Sequence, residues 1–429
     1  MTISRALFLS SVAGLLFFSR AASAEVSIVK SGDWEVYTSG RVGAFGVYGT
    51  GDANPVPLNA GESIRPGGGL DVASDFVSGA QEPDPNNPGM TRAGQGSFTS
   101  WRIRSGFVPN VLAFGLRTHI TENTQLTAYI GLWMPIGTEK QRKTGTTFPD
   151  AREGYVKVEG PAGSLLAGRA LDLFSRGATE NDFLYGHGYS VGYPGNINNV
   201  GNTNGLIGFG VLAAFFTPGI VYTTPMIGGL QLSIGAYDPA AVPGTYEATR
   251  YPMGESELTF DLRGSAFNLH LFGNGAIQKL YSPGIEQGVS AYGVGYGGRL
   301  EVGLFHLGLA GHYGKGLGLN YALEDSPTSY NQMNQARTFD GYSAFLQLVF
   351  GRLDVNLSAG MSRVLLLPSD QADPTSSLIK RQLGESLVLV YHFTSHFHAS
   401  VEYMHGDFAW FLGEKQLVNF ASTGVTATW

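Results

Sequence analysis

Five arginines lie within or beside alternating apolar segments of the chain: Arg102, Arg104, Arg117, Arg152 and Arg169. Three carboxylates, Asp172, Glu180 and Asp182, follow shortly after the last of them. Guanidinium groups on one wall facing carboxylates on an opposing segment break no bonds. They set up a transverse field, which orients dipolar solutes and sorts ions in a narrow aqueous passage. By alternation Arg102, Arg104 and Arg169 are expected to point away from the apolar face of their strands. An arginine facing hydrocarbon costs about 2–4 kcal/mol, so a watery interior is the expected destination. The plainer reading is that these charges only face water in a wide lumen.

A second set, His270, Arg299, Glu301, His306 and His312, alternates with apolar residues on neighbouring segments and reads as polar lumen lining. Imidazoles there would titrate near neutral pH, although simple polar lining explains them as well. His392, His396, His398 and Glu402 gather around one short turn, a spacing that permits a metal site. Histidines tolerated at a rim are the simpler account, so no metal is expected. The chain has no cysteine, which removes thiol nucleophiles and thiolate ligands. The Gly-Tyr-Gly run at 293–298 sits in no alternating strand–helix pattern, so it is not a nucleotide loop. No cofactor is expected, and the chain is not read as an enzyme.

The elements that must position these residues begin with the stretch at 152–182. Two short alternating segments, 155–159 and 164–171, flank a Gly-Pro-Ala-Gly turn at 160–163. About forty residues rich in Gly, Asn, Tyr and Phe follow without a steady period. A tight turn on one side and a very long loop on the other fits a membrane barrel better than a soluble sandwich. The rest of the chain repeats the pattern. Alternating segments are expected at 34–48, 98–118, 125–135, 155–159, 164–171, 219–225, 229–237, 257–263, 266–278, 290–303, 305–316, 338–350, 353–366, 383–393, 396–411 and 417–429. That gives sixteen strands, with short turns alternating with long loops; fourteen or eighteen would also fit. A change of face near Pro109 suggests a bulge. The loop at 49–96, rich in Pro and Gly, is unusually long.

Composition agrees. Residues 1–24 carry a basic start, an apolar run and an Ala-Ser-Ala cleavage site, and read as a secretory signal peptide. Residues 25–429 then form one barrel domain. Removing Arg5 and Arg20 leaves 25 basic against 34 acidic residues, a net charge of about −9, which argues against nucleic acid as a partner. No apolar run after the leader is long enough for a spanning helix. A chain can cross lipid without one only as a closed barrel.

WEVYTSGRVGAFGVYG, NVLAFGLRTHI with QLTAYIGLW, REGYVKVEG with GSLLAGRA, and GIVYTTPMIGGLQLSIGAYD resemble strands one to seven of the trimeric, sixteen-stranded general diffusion porins of Gram-negative outer membranes. The likeness implies an all-β transmembrane barrel with short periplasmic turns, long extracellular loops and the third long loop folded into the lumen. It implies passive diffusion of small hydrophilic solutes, a homotrimer, and contact with outer-membrane lipid and lipopolysaccharide. Gly168-Arg169 resembles the pair that leads into the constriction loop. The chain departs from that family in lacking the Pro-Glu-Phe-Gly loop motif and in placing Trp429, after Val425 and Ala427, where those proteins usually carry Phe. The alternatives are a substrate-specific channel, a non-conducting barrel acting as an adhesin or structural protein, and an outer-membrane hydrolase. Aromatic or paired polar groups along the lumen would favour the specific channel.

Overall fold

The computed structural model describes residues 25–52, 82–83, 91–92, 97–105, 110–134, 150–183, 205–239, 251–282, 285–319, 322–323, 335–370, 379–411, 413 and 415–429. The leader at 1–24 and most of the long first loop lie outside them.

Sixteen antiparallel strands close into one barrel. They are β1 (Trp34–Asp52), β2 in two segments (Ser97–Arg104 and Asn110–Thr121), β3 (Thr124–Met134), β4 (Asp150–Gly160), β5 (Gly163–Leu171), β6 (Phe216–Thr223), β7 (Leu230–Tyr237) and β8 (Met253–Arg263). Then come β9 (Asn268–Ser282), β10 (Ile285–Val302), β11 (Phe305–Lys315), β12 (Thr338–Phe350), β13 (Leu353–Leu365), β14 (Ile379–His392), β15 (Phe397–Trp410) and β16 (Lys415–Thr428). One short helix, α1 (Arg176–Asn181), follows β5. The count agrees with the period-two pattern. Two loop-side connections are tighter than expected. The β9–β10 ladder continues through Lys279↔Ser290 and Leu280↔Val289, where a loop was expected, and β15 and β16 are joined by only 411–414. An unexpected N-terminal strand, Val26–Ser31, pairs back on the start of β1.

Alternation decides the faces. Val42, Ile130, Val156, Leu165, Ile220, Leu258, Leu271, Leu309, Leu357, Leu389 and Val401 stand exposed on the outside. Phe267, Phe305, Phe350, Phe393 and Phe397 ring the short-turn rim, and Tyr48, Trp101, Tyr292 and Tyr313 stand toward the loop side. An apolar band between aromatic girdles is what a barrel needs against hydrocarbon. No helix among the described residues is long and apolar enough to cross a membrane, so any crossing is made by the strands.

β2 is bent. Four steps along β1, from Phe45 to Arg41, match seven along β2, from Arg104 to Val111. The three surplus residues form a bulge, and an odd number reverses the facing parity. Trp101 and Ile103 are therefore exposed in one segment, and Phe114 in the other. The Asn110 carboxamide fills the gap by accepting a hydrogen bond from the Gly43 N–H at 2.7 Å.

Closure joins β16 to β1, from Arg41↔Thr428 to Gly51↔Val418. Trp429 finishes the seam: its N–H donates to Gly40 O at 3.0 Å, and its carbonyl accepts from Gly40 N at 2.8 Å. A Cβ at Gly40 would lie 2.5 Å from Val111 O and 2.6 Å from the Trp429 ring. Overpacking of this kind costs about 1–3 kcal/mol. Gly40→Val is expected to lower the urea midpoint of the refolded barrel by a matching amount, measured by the loss of the folded band's fast migration in unboiled gels. An unchanged midpoint would show that the seam tolerates the branch.

Candidate pore constriction

After β5 the chain turns into the barrel, and polar groups on the inner wall hold it there. The base of the loop is stapled by Asp172. Its carboxylate accepts from Thr217 N at 2.9 Å and from Thr217 Oγ1 at 2.6 Å, and its own N–H donates to Phe215 O. The Glu255 carboxylate on β8 accepts from the N–H groups of Leu173 and Phe174, both at 2.8 Å. Arg176 donates to Glu257, also on β8, through Nε at 3.0 Å. Asn181 Nδ2 donates to Gly298 O and Leu309 O, at 2.8 and 2.9 Å. Asp182 accepts from Leu206 N, tying the outgoing limb of the loop to the returning one. The returning limb is held by Gly210 N donating to Ser362 Oγ and by Gln382 Nε2 donating to Gly208 O.

Wall glycines make room for this loop. A Cβ at Gly293 would meet the Phe174 ring, one at Gly384 would meet the Phe209 ring, and one at Gly360 would strike the Phe209 carbonyl. Phe174, Leu206, Phe209, Val211 and Leu212 are buried against Phe272, Phe345, Met404 and Phe408 in one apolar cluster. That half of the lumen is therefore packed like a soluble core. Among the described residues the other half is unfilled. Along β4, β5 and β6 the inner side chains are only partly covered, whereas on β13 and β14 most are buried. The unfilled space therefore lies against the wall of β3 to β6.

The expected constriction residues divide. Arg102 and Arg104 pair in register with Val47 and Phe45, and their side chains lie outside the described residues. Arg117 is on the inner face, but near the short-turn end, bound to Glu35 at 2.9 Å and Glu25 at 2.6 Å. Arg152 is at the loop end, paired with Asp150 at 2.8 Å and stacked over Trp133 at 4.7 Å. Arg169 corrects the expectation. It shares the outer face with Leu165, because 165, 167 and 169 have one parity, and its Nε donates to Phe216 O at 2.8 Å. Asp172 and Asp182 are buried and spent on backbone N–H groups. Of the three loop carboxylates only Glu180 is exposed. Arg169, Asp172 and Asp182 therefore do not take the places expected of them in a wall of arginines opposing loop carboxylates.

The lumen set also resolves into pairs. His270 meets Asp261 at 2.9 Å, Arg299 meets Glu301 at 3.1 Å, and His306 meets Gln347 at 2.8 Å. His312 corrects the expectation of lumen lining. It is on the inner face but buried beneath the loop, beside Gly341. His392 binds Asp354 at 3.0 Å, and no metal-holding group of three occurs among the described residues. Sequence reasoning missed Arg176, Glu255 and Glu257 as the loop's anchors. The alternation over 257–263 set Glu257 opposite the apolar face but did not reach Glu255, and the partners of both are distant in sequence. It also passed over the inner tyrosines Tyr37, Tyr129 and Tyr155.

No family model and no curated relative matches the chain. Solved structures do. The outer membrane channel DcaP of Acinetobacter baumannii superposes with a TM-score of 0.63 at 14% identity, covering 94% of this chain and 100% of that one. The anion-selective porin from Comamonas acidovorans gives 0.57 at 13% identity, covering 92% of this chain and all of the other. OmpF of Salmonella typhi, solved with daunomycin, gives 0.54 at 10%, covering 94% and 99%. At such identities the likeness is one of architecture: this chain has the sixteen-stranded barrel fold of the outer-membrane porins.

Proposed function

We propose that the chain is an outer-membrane channel through which small hydrophilic solutes diffuse passively. The observation that carries this reading is the half-filled lumen. The inserted loop packs one side solid and leaves the inner side chains of β4 to β6 partly exposed. Glu180 and the partly covered Arg176 then mark the loop's edge of the passage. The apolar outer band supports residence in a bilayer, and the signal-peptide reading of 1–24 supports export to the outer membrane. Most of the inner charges are locally paired, so selectivity by a strong transverse field is not favoured.

Copies associate, in this reading, as a homotrimer through the outer face of β14 to β16. That face breaks the apolar band. Arg381 pairs with Asp407 at 3.2 Å, and the Asn419 carboxamide oxygen meets Tyr403 Oη at 2.9 Å and His405 Nδ1 at 2.8 Å. Glu385 stands exposed directly opposite His405 in the ladder. Charges facing lipid are costly, and a second copy would cover them.

Purified, refolded protein is expected to give discrete, stable conductance steps in planar bilayers; none at all would overturn the channel reading. Glu257→Ala removes the partner of Arg176, and breaking a buried pair costs about 3–5 kcal/mol. The loop should come away from β8, giving larger and noisier single-channel steps; wild-type steps would show that the other anchors suffice. Glu385→Arg, which places a cation beside Arg381 and His405, should convert trimer to monomer in native mass spectrometry. An intact trimer would move the interface to another face.

A further inference from the structure

The open wall of the lumen is tiled with aromatic rings. Tyr37 on β1 covers Gly115 of β2, where a Cβ would run into the Tyr37 ring. Gly168 of β5 packs closely on the β4 backbone beside Tyr155: a Cβ there would lie 2.3 Å from Gly154 O and 2.6 Å from Tyr155 Cα, and Gly168 has φ +134°. Tyr129 on β3 stands opposite Tyr155 in the ladder, and the two rings stack at 5.2 Å and 24°. Tyr37 is closed off, 5% exposed, with the Arg117 guanidinium 4.7 Å from its ring centre. Tyr129 and Tyr155 are not closed off. Both remain partly exposed to the unfilled space.

They also stand at the level of the loop. Tyr129 is five residues from Thr124, and Tyr155 is five from Gly160, the ends of their strands at the short turns. The wall groups that hold α1 lie at similar heights: Glu257 is six residues from Arg263, Gly298 four from Val302, and Leu309 four from Phe305. With all short turns at one rim, the tyrosine pair and α1 bound the passage at one height.

Around the pair, charges come in couples. Lys157 binds Glu159, Arg117 binds Glu35 and Glu25, and Arg152 binds Asp150. Glu153 accepts from Trp133 Nε1 at 3.1 Å. A stacked aromatic pair with a ring face toward the open space, flanked by self-compensated polar groups, suits a neutral ring with an apolar face and a hydroxylated edge. An aromatic anion would want a cation not already held by a carboxylate.

We propose that Tyr129 and Tyr155 form a stacking site for the pyranose rings of neutral sugars at the level of α1. This deepens the channel reading and rests on it. The ring's C–H face lies on the tyrosines, and its hydroxyls exchange water for Lys157 and Glu159, which share the inner face of β4 with Tyr155. Stacking on an exposed aromatic face is worth enough to be read as a change of about tenfold in half-saturation when the ring is removed.

The test uses the full refolded barrel with maltotriose as probe and the open-chain hexitol sorbitol as control. Sugar is titrated both against ion conductance in planar bilayers and calorimetrically against protein in detergent. Maltotriose should block conductance saturably and release or absorb heat, while sorbitol should do neither. Tyr155→Ala should raise the half-saturating maltotriose concentration about tenfold. Tyr155→Phe should keep most of the affinity, and Tyr129→Leu, which keeps bulk but not planarity, should lose it. Each variant's folding is checked by gel migration. Equal responses to maltotriose and sorbitol, or full affinity in both Tyr155→Ala and Tyr129→Leu, would overturn the proposal. Saturable block by benzoate without block by sugar would overturn it in favour of aromatic anions. Calorimetric sugar binding in a barrel without conductance would keep the site and sink the channel.

Discussion

The need of every backbone N–H and C=O in lipid for a partner within the protein shapes the whole molecule. An open sheet has two unpaired edges, so the chain has to bring β16 back to β1. The ladder from Arg41↔Thr428 to Gly51↔Val418 does this, and the N-terminal strand covers the part of β1 that β16 does not reach. Once the tube is closed, strict alternation leaves each side chain only two surroundings. The outer one must be apolar. The inner one is free to hold polar groups, and it also receives a loop.

That loop is secured in the way of a soluble protein rather than a membrane one. Glu255, Glu257, Asn181 and Ser362 satisfy its polar groups, and an apolar cluster of Phe, Leu and Val side chains fills the space between. Two folding problems with different solvents are thus solved on opposite faces of the same strands. Phe272 and Phe345 face inward to this core while Leu271 and Ala344 face outward. The passage is whatever the core leaves over, so it lies to one side of the barrel axis, against β3 to β6.

The barrel itself was largely legible. Leu258, Phe260 and Leu262 opposing Glu257, Thr259 and Asp261 fix β8 by period alone, and the same reasoning found the break near Pro109. It failed where one position of parity decided the role. Arg169 was assigned inward by alternation, whereas Leu165, four residues earlier and of the same parity, already marks its face as outer. His312 has the correct parity, but a segment about a hundred residues away covers it. Alternation says which way a side chain points and nothing about what arrives on top of it. Asp172 and Asp182 were read as free charges for the same reason: their partners, Thr217 N on β6 and Leu206 N on the returning limb of the loop, lie far along the chain. The N-terminal strand escaped notice because all six of its residues are exposed, so it has no buried face to produce a pattern.

The glycines beneath the loop have an evolutionary consequence. Gly293, Gly360 and Gly384 are a cast of the Phe174 and Phe209 segments, recorded in strands far from them in sequence. A side chain gained at any of the three would evict part of the loop without touching the seam or the outer band. Drift at these few sites could therefore widen the passage while the barrel stays intact. The permeability of such a channel would then be inherited less through the residues that line its opening than through the empty places on the opposite wall.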